Sequence, residues 1–211
     1  MLEIGCGLGR IAFPLRFLIS QYGSYDGFEI TREKVDFLQA NFQKTFPNFR
    51  FVWANIHNTY YNPYGEMDAR EYIFPYTDNS FDLIYAASVY THLLPDYTAH
   101  YFSEAARVLK KGGRCVFSFF LLDNYQPGRV RLNLFSSPIF NFDFSYQNYG
   151  DEFAIGNTEN PEEMTAYRLG MVERFAAEAG LELAQPPIDG KWSGKSQKWL
   201  STQDLVILVK P

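Results

Sequence analysis

Glu3-Ile4-Gly5-Cys6-Gly7-Leu8-Gly9-Arg10 decides how this chain is read. It follows Met1 and Leu2, so a short apolar run enters a turn with three glycines on alternate positions. Beyond the turn, Ile11, Leu15, Leu18 and Ile19 fall at helical spacing. The pattern predicts a strand over residues 1–4 and a helix over 10–22. Glycines in such a turn let a ligand approach the backbone, and the helix start offers unpaired N–H groups and a positive partial charge.

Twenty residues past Gly9, Glu29 closes a second predicted strand over 25–30. In a doubly wound sheet the carboxyl ends of neighbouring strands line one crevice, and a carboxylate there can take both hydroxyls of a ribose. That pairing alone fits a dinucleotide as well as a nucleoside with a charged tail. A dinucleotide fingerprint spaces its glycines Gly-x-Gly-x-x-Gly. Here the spacing is Gly5-x-Gly7-x-Gly9 with Glu3 in front. An acidic side chain at that point repels a pyrophosphate and suits a ligand carrying an ammonium and a sulfonium.

Strand and helix patterns alternate downstream, which predicts a mostly parallel sheet with helices on both faces. Thr31 is placed as an N-cap, with Lys34, Val35, Leu38 and Phe42 continuing a helix. Further strands are expected over 49–54, 81–87, 114–120, 181–184 and 204–209. Helices are expected over 95–109, stopped by Lys110-Lys111-Gly112-Gly113, and over 162–179, stopped by Gly180. Residues 55–80 read as irregular.

The 211 residues suit one domain. The net charge is -5 and the 19 basic residues are scattered, which argues against a nucleic-acid surface. Cys6 and Cys115 have no disulfide or metal-ligand spacing and read as small buried residues of a reducing compartment. No apolar run approaches the roughly 18–20 residues of a membrane span, and the first residues are strand-like rather than a leader. A cytoplasmic protein is expected, with no metal.

Four stretches, in order, resemble the class I S-adenosylmethionine (SAM)-dependent methyltransferases. They are residues 2–10, residues 25–30, Phe74-Pro75-Tyr76 with Asp78-Asn79-Ser80-Phe81-Asp82, and Ala106-Arg107-Val108-Leu109-Lys110-Lys111-Gly112-Gly113-Arg114. Within that superfamily the chain is similar to bacterial members with an Asn62-Pro63-Tyr64-Gly65 loop, Thr91-His92 after the fourth strand and Gln203-Asp204 opening the last. The resemblance implies an α/β, Rossmann-like, seven-stranded sheet with an antiparallel last strand, in one domain over 1–211. It implies SAM as cofactor and methyl transfer to a small or medium-sized acceptor.

Residue by residue, it implies that Gly5, Cys6, Gly7 and Gly9 frame the SAM pocket. Glu3 faces the methionine amine and Arg10 its carboxylate. Glu29 holds the ribose and Ile30 lies against the adenine. Asn55, with Ile56 beside it, stands where an Asp usually meets the adenine amino group; Asp68-Ala69 is the rival, less favoured because it does not follow a strand. The backbone at Ala86 and Ala87 receives the methionine end. Arg10 fits a solvated helix residue equally well, and Asn55 a turn residue. Family members usually carry a helix before the first strand, so the resemblance also implies an N-terminally truncated chain.

On the acceptor side, His92 is the candidate general base, since histidine titrates near neutrality; packing at a helix start is the alternative. Tyr90 is the candidate to orient an acceptor, with a core position as its alternative. His57 and His100 carry no special argument. Residues 121–160 are the expected acceptor-side insertion. In it Phe140, Phe142, Phe144 and Tyr146 alternate with polar residues as in a half-buried strand. With Phe135, Tyr149 and Phe153 they form either an aromatic lid or a cover for the sheet, and Trp192 and Gly194 border the same mouth. Two rival functions stay open: a SAM-binding protein without catalysis, and an NAD(P)-dependent oxidoreductase.

Overall fold

The structure is a computed structural model and describes residues 1–125, 141–195 and 198–211. β1 (Leu2–Ile4) is buried at every position, as a strand covered on both faces must be. It pairs in parallel with β2 (Tyr25–Glu29) on one side and β4 (Phe81–Ala86) on the other. β3 (Phe49–Trp53) extends the sheet beyond β2, and β5 (Leu109–Phe119) lies beyond β4. β10 (Asp204–Val209) runs antiparallel to β5 and to the short β9 (Glu182–Leu183). The order is β3-β2-β1-β4-β5-β10-β9, the expected seven-stranded sheet. Strand order reverses between β1 and β4, and crevices open at such a point.

Helices cover both faces. α3 (Pro95–Val108) and α4 (Leu169–Glu178) pack with Leu2, Ile4 and Phe28 in the larger core. α2 (Arg32–Leu38), continued by a wider turn over Gln39–Gln43, packs on the other face with Tyr25, Phe49 and Phe51.

Several elements differ from expectation. The first helix shrinks to α1 (Ala12–Leu15). Pro14 sits inside it and brings no N–H to the ladder, and Phe13, Phe17, Leu18 and Tyr22 stay exposed. Thr31 holds the N-cap position, but its hydroxyl makes no capping bond. Lys110-Lys111-Gly112-Gly113 does not stop α3; Leu109 is already extended and β5 runs through all four residues. The cation at that helix end is Lys210, whose Nζ donates to the carbonyls of Ala106 and Leu109 at 2.8 and 2.9 Å.

The helix expected over 162–179 is a tight turn (Pro161–Glu163), then β8 (Thr165–Tyr167), then α4. β8 joins β7 (Phe153–Ile155) and β6 (Phe144–Ser145) in a second, antiparallel sheet. Phe144 is 42% exposed while Phe142 is buried, so the alternation expected over 140–146 does not hold as one half-buried strand. Phe135 and Phe140 lie outside the described residues.

Two of the resemblance stretches meet in space. The Arg107 guanidinium donates to the carbonyls of Phe74 and Tyr76 at 2.9 Å each, to Asp78 at 2.7 Å and to Glu104 at 2.8 and 2.7 Å. Glu104 in turn accepts the Phe74 N–H at 2.7 Å. The end of α3 thereby fixes the chain entering β4.

Candidate functional site

The registers Ile4↔Phe28 and Ile4↔Ala86 bring the glycine turn between the ends of β2 and β4. The N–H groups of Gly5 and Cys6 both donate to the Phe28 carbonyl, at 2.9 and 3.1 Å. Gly5, Gly7 and Gly9 all hold positive φ, at 68°, 54° and 77°. A side-chain carbon on Gly5 would stand 2.6 Å from Val89, and one on Gly9 2.8 Å from Leu38. One on Gly7 would meet no protein atom. Gly5 and Gly9 therefore serve close packing, and Gly7 keeps space open.

That space is a cavity of about 280 Å³, near the lower end of the usual ligand-pocket range of roughly 300–1,000 Å³. Of the residues singled out in the sequence, Glu3, Gly5, Cys6, Gly7, Arg10, Glu29, Ile30, Ile56, Ala87 and His92 line it. Gly9, Asn55, Ala86 and Tyr90 are not among its lining residues. Asn55 instead turns its carbonyl to the N–H groups of Glu66 and Met67, at 3.1 and 3.0 Å. Of the rival pair, Asp68 is bound to Arg70 and only Ala69 reaches the cavity. Tyr90 is fully buried among Phe102, Phe117 and Phe119 with its hydroxyl unpartnered; it is a core residue and not a candidate to orient an acceptor.

None of the described residues of 121–160 lines the cavity, and neither does Trp192. Trp192 packs against Phe120 and Phe142 and donates its Nε1–H to Asp204 at 2.7 Å. Sequence reasoning missed Asn58, Tyr61 and Glu162, which do line the cavity. His57, for which the sequence offered no argument, lines it as well.

Two buried carboxylates, Glu3 and Glu29, stand on the glycine side with Arg10 and Lys34. Glu29 is buried; it accepts the Gly7 N–H at 2.9 Å and the Thr31 N–H at 3.0 Å, with Lys34 Nζ 3.8 Å away. Each oxygen keeps a lone pair for a further donor. Glu3 is buried and accepts the Tyr25 hydroxyl. Burial pushes its carboxyl up to about 7, against the hydrogen bond from Tyr25 and the charge of Arg10.

On the opposite side stands His92. Its Nδ1 lies 3.1 Å from the Glu162 carbonyl oxygen, and its Nε2 3.3 Å from the Tyr61 hydroxyl. A carbonyl can only accept, so the proton belongs on Nδ1 and the Nε2 lone pair faces Tyr61. Burial holds the ring below the usual histidine range, opposed by its contacts with Glu162 and Glu163. The arrangement is a neutral imidazole ready to take a proton at Nε2.

The three subgroup motifs converge on this wall. Asn62 donates its side-chain N–H to the Ile56 carbonyl at 2.8 Å, and a side-chain carbon on Gly65 would stand 2.3 Å from the Ile56 backbone. The Asn62–Gly65 loop thus fixes a cavity residue. Gln203 Oε1 accepts from the Ser118 hydroxyl at 2.6 Å and the Ser88 hydroxyl at 3.1 Å, and its Nε2 lies 3.4 Å from Thr91 Oγ1. Ser88, itself on the cavity, is held at φ 55°. Asp204 is fully buried and accepts from Leu121, Gly190, Asn124 and Trp192.

Residues 2–117, more than half of the chain, match the family profile described as a methyltransferase domain. Among solved structures, the chain is similar to a TehB-like SAM-dependent methyltransferase from Corynebacterium glutamicum. That match has 21% identity and a TM-score of 0.56, and covers 100% of this chain and 79% of the other. A SAM-dependent methyltransferase from Clostridium acetobutylicum shows 15% identity and a TM-score of 0.61, over 99% of this chain and 82% of the other. The magnesium protoporphyrin IX methyltransferase from Synechocystis, solved with bound SAM, shows 13% identity and a TM-score of 0.53, over 100% and 69%. These likenesses show the fold, and the profile shows the lineage: the chain belongs to the methyltransferase domain family.

Proposed function

We propose that the cavity between the glycine turn and His92 is the SAM site of a SAM-dependent methyltransferase, with the acceptor bound on the His92 side. The observation that carries this reading is the chemistry of the lining. Glu3 and Glu29 supply buried carboxylates, Gly7 leaves open room, and Ile30, Ile56 and Ala69 give apolar walls. That set fits a cationic methionine end, a ribose and an adenine. Glu29, with lone pairs beyond those bound by Gly7 and Thr31, would hold the ribose. Glu3 would meet the ammonium group. Ile30, Ile56 and Ala69 would flank the adenine, while Asn55, expected to accept from the adenine amino group, is not among the lining residues.

When bound, SAM supplies an electrophilic methyl group on a sulfonium. The chain's own part is to position, exclude water and move one proton. Nε2 of His92 takes the proton from an acceptor X–H group, and the Glu162 carbonyl stabilises the resulting cation through Nδ1–H. The acceptor we assign is a small molecule, the charge distribution offering no nucleic-acid surface. Among the described residues no helix is long and apolar enough to cross a membrane. Cys6 and Cys115 are both free thiols, which supports our assignment to a reducing compartment such as the cytoplasm.

Calorimetry of the chain with SAM, S-adenosylhomocysteine and NAD tests the reading. Binding of the first two and not the third is expected. NAD binding without SAM binding would overturn it.

A further inference from the structure

We infer that the acceptor is a neutral aromatic compound bearing a hydroxyl group, a phenol, held against Tyr61 with its O–H on His92 Nε2. The inference rests on the SAM reading of the cavity.

The first ground is the hydrogen bond already present. The fixed tautomer leaves Nε2 as a pure acceptor, so its partner must bring an X–H group. The partner found there is a phenol, the Tyr61 hydroxyl at 3.3 Å. Tyr61 is 40% exposed, so its hydroxyl can yield the position to an incoming ligand of the same chemistry.

The second ground is the ring geometry. Tyr60 lies parallel to the His92 ring, 3° apart in plane, and Tyr61 stands across both at 90° and 87°. Tyr60 is 49% exposed. Of the two, Tyr61 lines the cavity and Tyr60 backs it at a centroid distance of 4.8 Å, so a flat ligand meets the Tyr61 ring, in an arrangement aromatic pairs prefer.

The third is rigidity. Glu162 Oε2 accepts the Thr59 N–H at 2.7 Å and its hydroxyl at 2.6 Å, and Oε1 accepts from Asn58 at 3.0 Å. Asn58 Oδ1 in turn accepts the Tyr60 and Tyr61 N–H groups at 3.2 and 2.8 Å. The backbone carrying both rings is thus set before any ligand arrives, which saves ordering cost on binding. Arg10 and Lys34 also line the cavity, with Lys34 5.5 Å from the Tyr61 ring, so the choice of a neutral ligand over an anionic one is left to the 2-naphthoate control. Three carboxylates, Glu3, Glu29 and Glu162, share that lining, and Lys34 lies 3.8 Å from Glu29. The phenol binds with its O–H intact. In the transfer step the O–H bond breaks towards oxygen, that electron pair goes into the new bond to the methyl group SAM would supply while the S–CH3 pair stays on sulfur, and the proton goes to Nε2.

The probe is 2-naphthol, titrated by fluorescence into the full chain saturated with S-adenosylhomocysteine. Cyclohexanol and 2-naphthoate compete as controls. We expect 2-naphthol to bind about tenfold or more tighter than either. Tyr61→Phe, which keeps the ring but frees Nε2, tightens 2-naphthol binding severalfold; His92→Ala weakens it. Controls that bind as well as 2-naphthol, or a Tyr61→Phe chain with unchanged affinity, would overturn the acceptor class. S-adenosylhomocysteine calorimetry on each variant separates the two levels. A wild-type chain that fails to bind it overturns the SAM reading, whereas one that binds it without preferring 2-naphthol overturns the phenol alone. If His92→Ala loses that binding too, Tyr61→Phe decides.

Discussion

The Nδ1 of His92 meets the carbonyl oxygen of Glu162 at 3.1 Å across seventy residues of sequence. The same Glu162 grips Asn58 and Thr59 with its carboxylate. One residue therefore sets the tautomer of the base from one end and anchors the opposite lip from the other.

Replacing His92 by Ala is expected to lower turnover by about 10²–10⁴-fold, the usual worth of a general base, while S-adenosylhomocysteine affinity stays near wild type. The wild-type pH–rate profile carries a second check. The active form is neutral, and burial holds His92 below its ordinary 6.5. With SAM saturating, so that its ammonium holds Glu3 ionised, turnover should therefore fall only as the pH drops through a value under 6.5. An acid limb centred above 6.5 would remove His92 from the role of base.

Glu29→Ala should weaken S-adenosylhomocysteine binding by tenfold to several hundredfold. Hydrogen bonds to a charged group contribute roughly 1.5–3 kcal/mol each, and the substitution also releases the Gly7 N–H that shapes the turn. Calorimetry measures it; a loss below threefold would place the ribose elsewhere.

Glu3 makes stability depend on pH. Its folded pKa, about 7, lies above the ordinary 4.5, so between these values the folded chain holds a proton that the unfolded chain has released. Its contribution is present below 4.5 and is lost as pH rises through 7, up to about 3 kcal/mol in all. Denaturant titrations from pH 4.5 to 8 should show this slope, and Glu3→Gln should flatten it. A cationic ligand beside Glu3 lowers its pKa, so SAM binding near pH 7 should release a fraction of a proton. Calorimetry in buffers of different ionisation enthalpy reads that release.

Gly7 and Gly65 make a matched pair. A side-chain carbon at Gly7 meets nothing, but φ is 54°; Gly7→Ala should cost about 1–2 kcal/mol and impair SAM binding more than folding. At Gly65 the same carbon lands 2.3 Å from the Ile56 backbone, so Gly65→Ala must displace the loop, at about 1–3 kcal/mol or more. Thermal melts and calorimetry on both variants separate the two. Equal melting temperatures with equal affinities would contradict this division of roles.

The sheet and the glycine side were legible because their signals are local. Alternating strand and helix periods and glycines spaced Gly5-x-Gly7-x-Gly9 fix one topology and one turn. Glu29 followed from its distance along the chain. The acceptor wall was legible only at His92, because the contacts of Tyr61 and Glu162 are long-range: His92 to Glu162 spans 70 residues and Asn58 to Glu162 spans 104. The apolar spacing after residue 162 matched a helix, yet Thr165, Ala166 and Tyr167 are all buried as strand β8. Tertiary pairing with β7 overrode the local period. Within 10–22, Pro14 was the overlooked signal; its missing N–H limits α1 whatever the spacing of the leucines.

Gln203 and Asp204 also tie the pocket wall to a distant part of the chain. Both belong to the last tenth of the chain, yet Ser88, Thr91 and Ser118 reach Gln203, and Leu121 and Asn124 reach Asp204. These are contacts of high sequence separation, slow to close because the intervening loop must be ordered first. β1 to β5 pair without β10, whereas the wall behind Ser88 and Thr91 is braced only with β10 seated between β5 and β9. The pocket wall at Ser88 and Thr91 thus depends on a strand far away in sequence, so loosening β10 should disturb ligand binding through residues that never touch the ligand.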